Sequence, residues 1–243
     1  MRVHLVIHEA FEGPGAILDW CDERAYHVTT SHLYRGEPLP ESGEGTDLLV
    51  VLGGPQSPDT PQSECPHFDS QREQALIKQC IEQGSAVVGI CLGAQLIGEA
   101  LGAPYQKSPE PEIGYFPIQL SEDGHIDEHI PHFAPQEIVG HWHNDMPGLT
   151  PNSRVLASSE GCPRQIVKYG PRVYGFQCHL ELTPLAVEGL LQAAYPEGEA
   201  ANKRFIQDPD SIRAFDTAPM NAHLFAFLDS VLTDNDLVTE WLF

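Results

Sequence analysis

The segment that decides the fold is Val87-Val88-Gly89-Ile90-Cys91-Leu92-Gly93-Ala94-Gln95. Its first four residues are apolar or small, which predicts a buried strand, and the residues from Ala94 to Ala100 predict a helix. Cys91 therefore lies in a sharp turn between strand and helix. Such a turn projects its side chain above the edge of the sheet, as in the nucleophile elbow G-x-S-x-G of hydrolases, with sulfur in place of oxygen. We interpret Cys91 as a catalytic thiol.

The position of Cys91 also favours a reactive sulfur. A thiol at the N-terminus of a helix lies at the positive end of the helix dipole, which stabilises the thiolate. The alternative is a buried cysteine that packs as a small apolar side chain, the more common role of this residue. Glycines on both sides of the turn, Gly89 and Gly93, argue against that alternative because they permit the tight backbone.

A candidate general base lies far downstream. Residues 172–177 predict a strand, and Cys178-His179-Leu180-Glu181 follows it. Side chains two residues apart project to the same face of an extended chain, so we expect His179 and Glu181 side by side. The carboxylate would fix the imidazole tautomer and stabilise its cation, while the other ring nitrogen faces the thiol. A surface histidine beside an unrelated glutamate is the alternative, because the chain has twelve histidines.

A third segment offers hydrogen-bond donors for an oxyanion. The apolar residues 47–52 predict a strand that leads into Gly53-Gly54-Pro55-Gln56-Ser57. Glycine lets a backbone N–H turn toward a neighbouring site, so one N–H from Gly53 or Gly54 and one from Leu92 would form an oxyanion hole. A phosphate-binding loop is disfavoured because the Lys-Ser/Thr pair of a P-loop is absent. A simple strand-ending turn remains an alternative for this segment alone.

Together the three segments resemble class I glutamine amidotransferases, with their Cys-His-Glu triad. The resemblance rests, in the order and spacing of that family, on Gly53-Gly54-Pro55, Gly89-Ile90-Cys91-Leu92-Gly93-Ala94-Gln95 and Gly175-Phe176-Gln177-Cys178-His179-Leu180-Glu181. Further stretches resemble the glutaminase domain of GMP synthase: Lys107-Ser108, Glu112-Ile113-Gly114-Tyr115, His141-Trp142-His143-Asn144-Asp145 and Leu156-Ala157-Ser158-Ser159. Most of residues 1–190 are covered.

The resemblance implies an α/β fold of the flavodoxin-like type, with an open, mostly parallel sheet flanked by helices and a small antiparallel addition. It implies that Cys91 attacks the side-chain amide of glutamine, a small-molecule substrate, while His179 exchanges protons and Glu181 orients it. Gln95 is expected to hold polar groups of the substrate, although packing at the start of its helix is an equal alternative. His143 and Asp145 are expected to border the pocket. No cofactor is expected.

The chain departs from the family pattern beside the base. That family usually has phenylalanine before the histidine and proline after it, whereas this chain has Cys178 and Leu180. Without proline the backbone at residue 180 is less constrained, and so is the alignment of His179 with Glu181. A second thiol could also be oxidised, or could form a disulfide with Cys91 if the two approach closely. We expect neither change to abolish the chemistry, but both leave room for a shifted substrate preference.

A competing chemistry is suggested by His141-Trp142-His143-Asn144-Asp145, which contains the pattern H-x-H-x-D of metallo-β-lactamase-like zinc hydrolases. That motif continues with histidine where this chain has Met146, and the surrounding strand pattern fits the amidotransferase better. We therefore expect no metal site here, a structural role for His141, and Trp142 packed beneath the pocket. The remaining histidines of this region are expected to be solvated surface residues: His125, His129 and His132.

The composition of the chain indicates which kinds of partner it does not bind and in which compartment it is expected. The net charge of −22, from 35 acidic and 13 basic residues, disfavours binding to nucleic acid or to an anionic membrane. No segment has the apolar length needed to span a bilayer, and the N-terminus predicts a first strand rather than a signal peptide. The six cysteines lack a paired spacing, which favours a reducing cytoplasm over a disulfide framework.

The pattern along the chain predicts alternating strands and helices. Strands are predicted at 2–8, 47–52, 85–90, 114–120, 136–142, 153–158, 164–169 and 172–177, the later ones partly antiparallel. Helices are predicted at 14–23, at 68–83, after 92, and from Thr183, Asp208 and Thr217 onward.

The domain prediction is one amidotransferase domain over residues 1–195 and a C-terminal helical extension over 196–243 that packs on it. The extension is predicted from an apolar helical face formed by Leu224, Leu228, Val231 and Leu232. No synthase domain is recognised, so the acceptor of released ammonia would be water, a small amine or a separate synthase subunit. Two other functions stay open: a γ-glutamyl peptidase acting on glutathione-like or γ-glutamyl amine compounds, and a glutaminase subunit that is inactive without its partner.

Overall fold

The computed structural model of the chain describes residues 1–130, 133–196 and 203–233. Its strands are β1 (Arg2–Ile7), β2 (His27–His32), β3 (Leu48–Val51), β4 (Ala86–Ile90), β5 (Gln106–Leu120), β6 (Gln136–Met146), β7 (Arg154–Ser158), β8 (Ile166–Gly170) and β9 (Val173–Phe176). Its α-helices are α1 (Ala16–Glu23), α2 (Ser70–Glu82), α3 (Leu92–Ala100), α4 (Glu122–Ile126), α5 (Pro184–Ala194), α6 (Pro209–Arg213) and α7 (Ala218–Thr233).

Within the described ranges the strands form one sheet in the order β2-β1-β3-β4-β9-β8-β7-β5-β6. Strands β2, β1, β3, β4 and β9 run parallel, and the other pairings are antiparallel. Strands β3 and β4 are buried along their whole length, as continuous apolar runs require when helices cover both faces of a sheet. The predicted class, an α/β fold with helices flanking a large sheet, is confirmed.

Two parts of the sheet differ from the sequence pattern. Strand β2 was not predicted, because its residues His27–His32 are mostly polar and lie at the sheet edge, where one side faces no neighbouring strand. Strand β5 begins at Gln106, before the predicted 114, although it contains Pro109 and Pro111. A register shift between Lys107 and Glu112 accommodates these prolines, which cannot donate to a regular ladder.

Helix α7 packs on the same core as the parallel strands. Leu224, Leu228, Val231 and Leu232 belong to one buried cluster with Ile90 of β4 and Phe176 of β9. Phe227 makes edge-to-face contacts with Tyr174 and Phe176. The division at residue 196 stays a prediction, since 197–202 and 234–243 lie outside the described residues. Among the described helices, none combines the length and apolar character needed to cross a bilayer.

We expect Phe227→Ala to lower the free energy of unfolding by about 3–5 kcal/mol, because it leaves a cavity beside two aromatic rings. Phe227 is fully buried. Urea denaturation measures the change. The matched control is Phe225→Ala in the same helix, where the ring is only partly buried. Equal losses for the two variants would contradict the packing of α7 on the sheet.

Candidate active site

Cys91 occupies a strained turn at the carboxyl end of β4. Its backbone has φ 53° and ψ −109°, a conformation that non-glycine residues adopt only at a cost. The surrounding packing enforces it: the Cys91 N–H donates to the Phe176 carbonyl at 2.7 Å, and α3 begins at the next residue. A Cβ on Gly93 would collide with the Val51 carbonyl oxygen, and one on Gly89 with the Gly93 carbonyl. The turn thus has the strand–turn–helix geometry of a nucleophile elbow.

His179 and Glu181 form a buried pair at the end of β9, the strand beside β4. Nδ1 of His179 lies 2.6 Å from Oε1 of Glu181. The backbone of His179 also exchanges two hydrogen bonds with Gly140 of β6, at 2.7 and 3.1 Å. Because β4 and β9 are adjacent and parallel, Cys91 and His179 both follow the carboxyl ends of these central strands, on the same side of the sheet.

The charges of the three groups are coupled. Burial lowers the pKa of His179, but Glu181 and then Cys91 raise it well above its ordinary value. The pKa of the Cys91 thiol is raised above its ordinary value, because burial outweighs the opposing effects of His179 and the Leu92 N–H. Nδ1 of His179 is engaged by Glu181, so Nε2 is the ring nitrogen left to interact with Cys91 and with a reacting group. This arrangement favours an imidazolium beside the sulfur.

Gln177 is a residue of the site that the sequence reasoning missed. Its Nε2 lies 3.5 Å from the Cys91 sulfur, and its Oε1 accepts from Nε2 of Gln95 at 3.2 Å. An amide N–H directed at sulfur stabilises a thiolate. The signal was present in the sequence, since Gln177, His179 and Glu181 are spaced two apart and share a face in extended backbone.

The backbone around Leu180 is held in place despite the missing proline. Nδ2 of Asn221, in α7, donates to the carbonyls of Leu180 and Leu182 at 2.6 and 3.1 Å. The Ala16 N–H donates to the Glu181 carbonyl at 2.9 Å. The freedom expected at residue 180 is therefore removed by tertiary hydrogen bonds. The neighbouring Cys178 is buried with its sulfur 3.6 Å from the Gln165 carbonyl, and all six cysteines are free thiols.

The Gly53–Gly54 loop is held by a buried ion pair that the sequence reasoning also missed. Nδ1 of His8 lies 3.0 Å from the Gly53 carbonyl oxygen, and Nε2 lies 2.8 Å from Oε2 of Glu73. Burial lowers the pKa of His8, but Glu73 and the Gly53 carbonyl raise it above its ordinary value. Both ring nitrogens then carry protons. Fixing the Gly53 carbonyl also fixes the Gly54 N–H, because the two point in opposite directions across one planar peptide.

The predicted oxyanion donors lie close to Cys91. A Cβ on Gly53 would sit 3.4 Å from Cβ of Cys91, and one on Gly54 would sit 3.0 Å from Cδ2 of Leu92. Leu92 is the first residue of α3, so its N–H has no partner within the helix. Gly53 therefore lies beside Cys91, and Gly54 lies beside the side chain of Leu92.

A cavity of about 300 Å³ opens beside Cys91. The residues predicted to contact substrate all line it: Gln95, His143 and Asp145. Asp145 is engaged on both oxygens, by Nζ of Lys107 at 2.7 Å and by Oγ of Ser57 at 3.0 Å. This pairing ties β6 to the loop that follows Gly54. Other parts of the wall are formed by Glu12, Ile113, Trp142, Asn144, Lys203 and Ile206.

Two groups in the described part of the chain bring three possible metal ligands within 4.8 Å of one another: Glu112 with His141 and His143, and Glu9 with Cys65 and His67. In the first group, which is fully buried, Oε2 of Glu112 already accepts hydrogen bonds from Ser159 and Gln165, both at 2.7 Å. Burial lowers the pKa of His141 to about 3 and also lowers that of His143. Glu112 is thereby tied to Ser159 and Gln165, next to the part of the cavity wall that His143 forms.

One expectation about the neighbouring histidines was wrong. His129 is 1% exposed rather than solvated, with Nδ1 2.9 Å from Oγ of Ser230. Helix α7 covers it, and no periodic signal near residue 129 reports that contact. His125 is exposed as expected, and His132 lies outside the described residues.

Comparison with known proteins decides the family. The family model described as "Glutamine amidotransferase class-I" matches residues 22–189. The chain belongs to the class I glutamine amidotransferases. It is 55% identical over 232 residues to the glutamine amidotransferase-like protein YfeJ of Salmonella typhimurium, covering 95% of this chain and 97% of YfeJ.

Two further relatives place this amidotransferase within its family. The crystal structure of SMU.1228c superposes with a TM-score of 0.93 at 44% identity, over 95% of this chain and 99% of that one. A glutamine-hydrolyzing GMP synthase subunit of Pyrococcus abyssi is 29% identical over 135 residues, which are 55% of this chain and 65% of that protein. Likeness to stand-alone amidotransferase-like proteins thus extends over nearly the whole chain.

We expect Glu181→Gln to shift the titration of His179 to lower pH, because the variant removes the anion that raises the pKa of this imidazole. Imidazole NMR as a function of pH measures the shift. Glu73→Gln is the matched control: it should shift the titration of His8 and leave that of His179 in place. Unchanged His179 titration in Glu181→Gln would contradict the pairing.

We expect Gly93→Ala to destabilise the fold by about 3 kcal/mol, the upper end of the cost of overpacking, because its Cβ meets the Val51 carbonyl. Thermal and urea unfolding measure the loss. Gly13→Ala is the control, since a Cβ there meets nothing within 4 Å. A loss no larger than that of the control would show that the elbow tolerates a side chain.

Proposed function

We propose that this chain hydrolyses the side-chain amide of glutamine, or of a closely related γ-glutamyl amide, through a γ-glutamyl thioester on Cys91. The observation that supports it most directly is the buried His179–Glu181 pair, joined at 2.6 Å, at the same sheet edge as the strained turn of Cys91. A cavity of about 300 Å³ beside the sulfur has room for a substrate of this size.

The first half of the reaction forms the thioester. The Cys91 thiolate attacks the amide carbon, and the developing oxyanion receives hydrogen bonds from the N–H of Leu92 and from the Gly53–Gly54 loop. The C–N bond then breaks as the imidazolium of His179 gives its proton to the departing nitrogen. The raised pKa of His179 supports this step, because it keeps the imidazole protonated until the nitrogen becomes basic.

The second half returns the enzyme to its starting state. The now neutral His179 takes a proton from water, and the resulting hydroxide attacks the thioester carbonyl. The C–S bond breaks, which releases glutamate and restores the thiolate beside the imidazolium. Glu181 keeps the ring oriented throughout and stabilises its cation. Released ammonia diffuses into water or passes to a separate synthase subunit.

Covalent labelling tests the nucleophile. After incubation with 6-diazo-5-oxo-norleucine, a glutamine-like electrophile, we expect mass spectrometry to find one adduct, confined to Cys91. The adduct should be lost in Cys91→Ala and kept in Cys178→Ala, the control for the second thiol. His179→Ala should slow glutamine hydrolysis by about 10²–10⁴-fold, the usual contribution of general acid–base catalysis. An adduct on Cys178 instead would refute the assignment.

The buried His8–Glu73 pair is proposed to position the oxyanion loop. We expect His8→Gln to lower kcat for glutamine by about 10–100-fold with little change in KM, because an oxyanion exists only in the transition state. Steady-state kinetics measure both constants. His32→Gln is the matched control, since it breaks a surface His–Glu pair at 2.8 Å in the described chain. A rise in KM with unchanged kcat would exclude this role.

A partner-dependent glutaminase is the second candidate, favoured by one observation: the Pyrococcus abyssi relative is named as a subunit of GMP synthase. Under that hypothesis the isolated chain would neither hydrolyse glutamine nor be labelled at Cys91, and both activities would appear when a synthase subunit is added. Labelling of the isolated chain would exclude it.

A further inference from the structure

Glu12 lies in the loop between β1 and α1 and lines the same cavity as Cys91. One oxygen of its carboxyl group fills the space that a side chain on Gly53 would occupy. Cβ of Cys91 is 3.4 Å from the position that a Cβ on Gly53 would take. The carboxyl group therefore lies beside the sulfur-bearing carbon, within reach of any molecule that reacts there.

The loop of Glu12 also packs against the His179–Glu181 pair. Gly15, in the same loop, packs against the Glu181 carbonyl oxygen. The N–H of Ala16 donates a hydrogen bond to that oxygen at 2.9 Å. Burial raises the pKa of the Glu12 carboxyl to about 7, and His179 is the charge that lowers it most. In the proposed reaction His179 protonates the departing nitrogen, so the group leaving with that nitrogen passes close to Glu12.

The two histidines whose charge acts on Glu12 are each already paired with another carboxylate, His179 with Glu181 and His8 with Glu73. Within the described ranges, neighbouring charges act on the Glu12 carboxyl without a direct hydrogen bond to it. The neighbouring carboxylates are engaged: Asp145 by Lys107, Glu181 by His179, and Glu9 by His67 at 3.0 Å. A partly buried anion without a partner attracts a cation and repels an anion placed beside it.

We propose that Glu12 selects substrates by the charge of the leaving amine. Resting on the function proposed above, this inference names the substrate class as γ-glutamyl amides that release ammonia or an amine bearing a further cation. Amides that release an amino acid carry a carboxylate beside the departing nitrogen, and Glu12 disfavours them. The chain is accordingly a γ-glutamyl amine hydrolase rather than a γ-glutamyl peptidase.

Three substrates of nearly equal size test the selection: γ-glutamyl-ethylenediamine, γ-glutamylglycinamide and γ-glutamylglycine. Their leaving groups end in a cation, a neutral amide and an anion. At pH 8.5, where the carboxyl of Glu12 is ionised, we expect kcat/KM to fall in that order, by at least tenfold from first to last. In Glu12→Gln the order should collapse to within about threefold, since only charge discriminates these substrates.

Matched variants separate charge selection from a structural effect. Glu9→Gln removes a nearby carboxylate that is already paired and should keep the wild-type order. Glu12→Asp keeps the charge and should keep the direction of the order. Glu12→Ala, which also removes the charge, replaces Glu12→Gln if that variant does not fold. An order that persists in Glu12→Gln, or an equal loss for all three substrates, would overturn the proposal. A preference for γ-glutamylglycine would assign recognition to Lys203 on the cavity wall and would also overturn it.

Binding measurements keep this inference distinct from the proposed function. In the Cys91→Ala background, calorimetry should give dissociation constants in the same order for the three compounds, and Glu12→Gln should flatten that order. Absence of turnover in the wild type with this binding order intact would refute the hydrolysis but support the role of Glu12. Turnover without any charge order would refute only the role of Glu12.

Discussion

The strained backbone of Cys91 is the constraint on which the rest of the site depends. A φ of 53° at a non-glycine residue is unfavourable, so it persists only where neighbouring structure enforces it. Two strands do so here: the Val51 carbonyl of β3 packs against Gly93, and the Phe176 carbonyl of β9 accepts the Cys91 N–H. The parallel half of the sheet therefore determines where the sulfur lies. It also determines that the sulfur faces the end of β9, where His179 and Glu181 follow.

Charge around this turn is organised in pairs. His179 with Glu181 and His8 with Glu73 are both buried. The first pair orients the imidazole ring near the thiol, and the second holds the peptide between Gly53 and Gly54. Buried charges are tolerated when a partner and hydrogen bonds compensate for lost hydration. Glu12, on the wall of the cavity, has no such direct partner in the described ranges, so its charge is left to act on a ligand there.

Helix α7 connects the end of the described chain to the site. It packs Phe227 on the rings of β9 and also places Asn221 against the carbonyls on either side of Glu181. The family pattern restrains this point with a proline after the histidine, and here two side-chain hydrogen bonds restrain Leu180 instead. The restraint of a proline ring is thus replaced by hydrogen bonds from another part of the chain. The position of His179 therefore depends on the packing of α7 against this segment.

The sequence by itself determined the α/β class, the elbow at Cys91, the His179–Glu181 pair and the glycine loop at residues 53–54. Each of these depends on periodicity or glycine placement within a few neighbouring residues, so local patterns suffice to predict them. Only the tertiary structure decided that His8 and Glu73 hold the Gly53–Gly54 loop, that Asn221 restrains the backbone on either side of Glu181, that His129 is buried, and that Glu12 lies near Cys91. These contacts join residues far apart in the chain, and their energies arise from burial and charge pairing that no local pattern reports. The same reason explains why the polar edge strand β2 was missed: its pairing with β1 is a property of the assembled sheet.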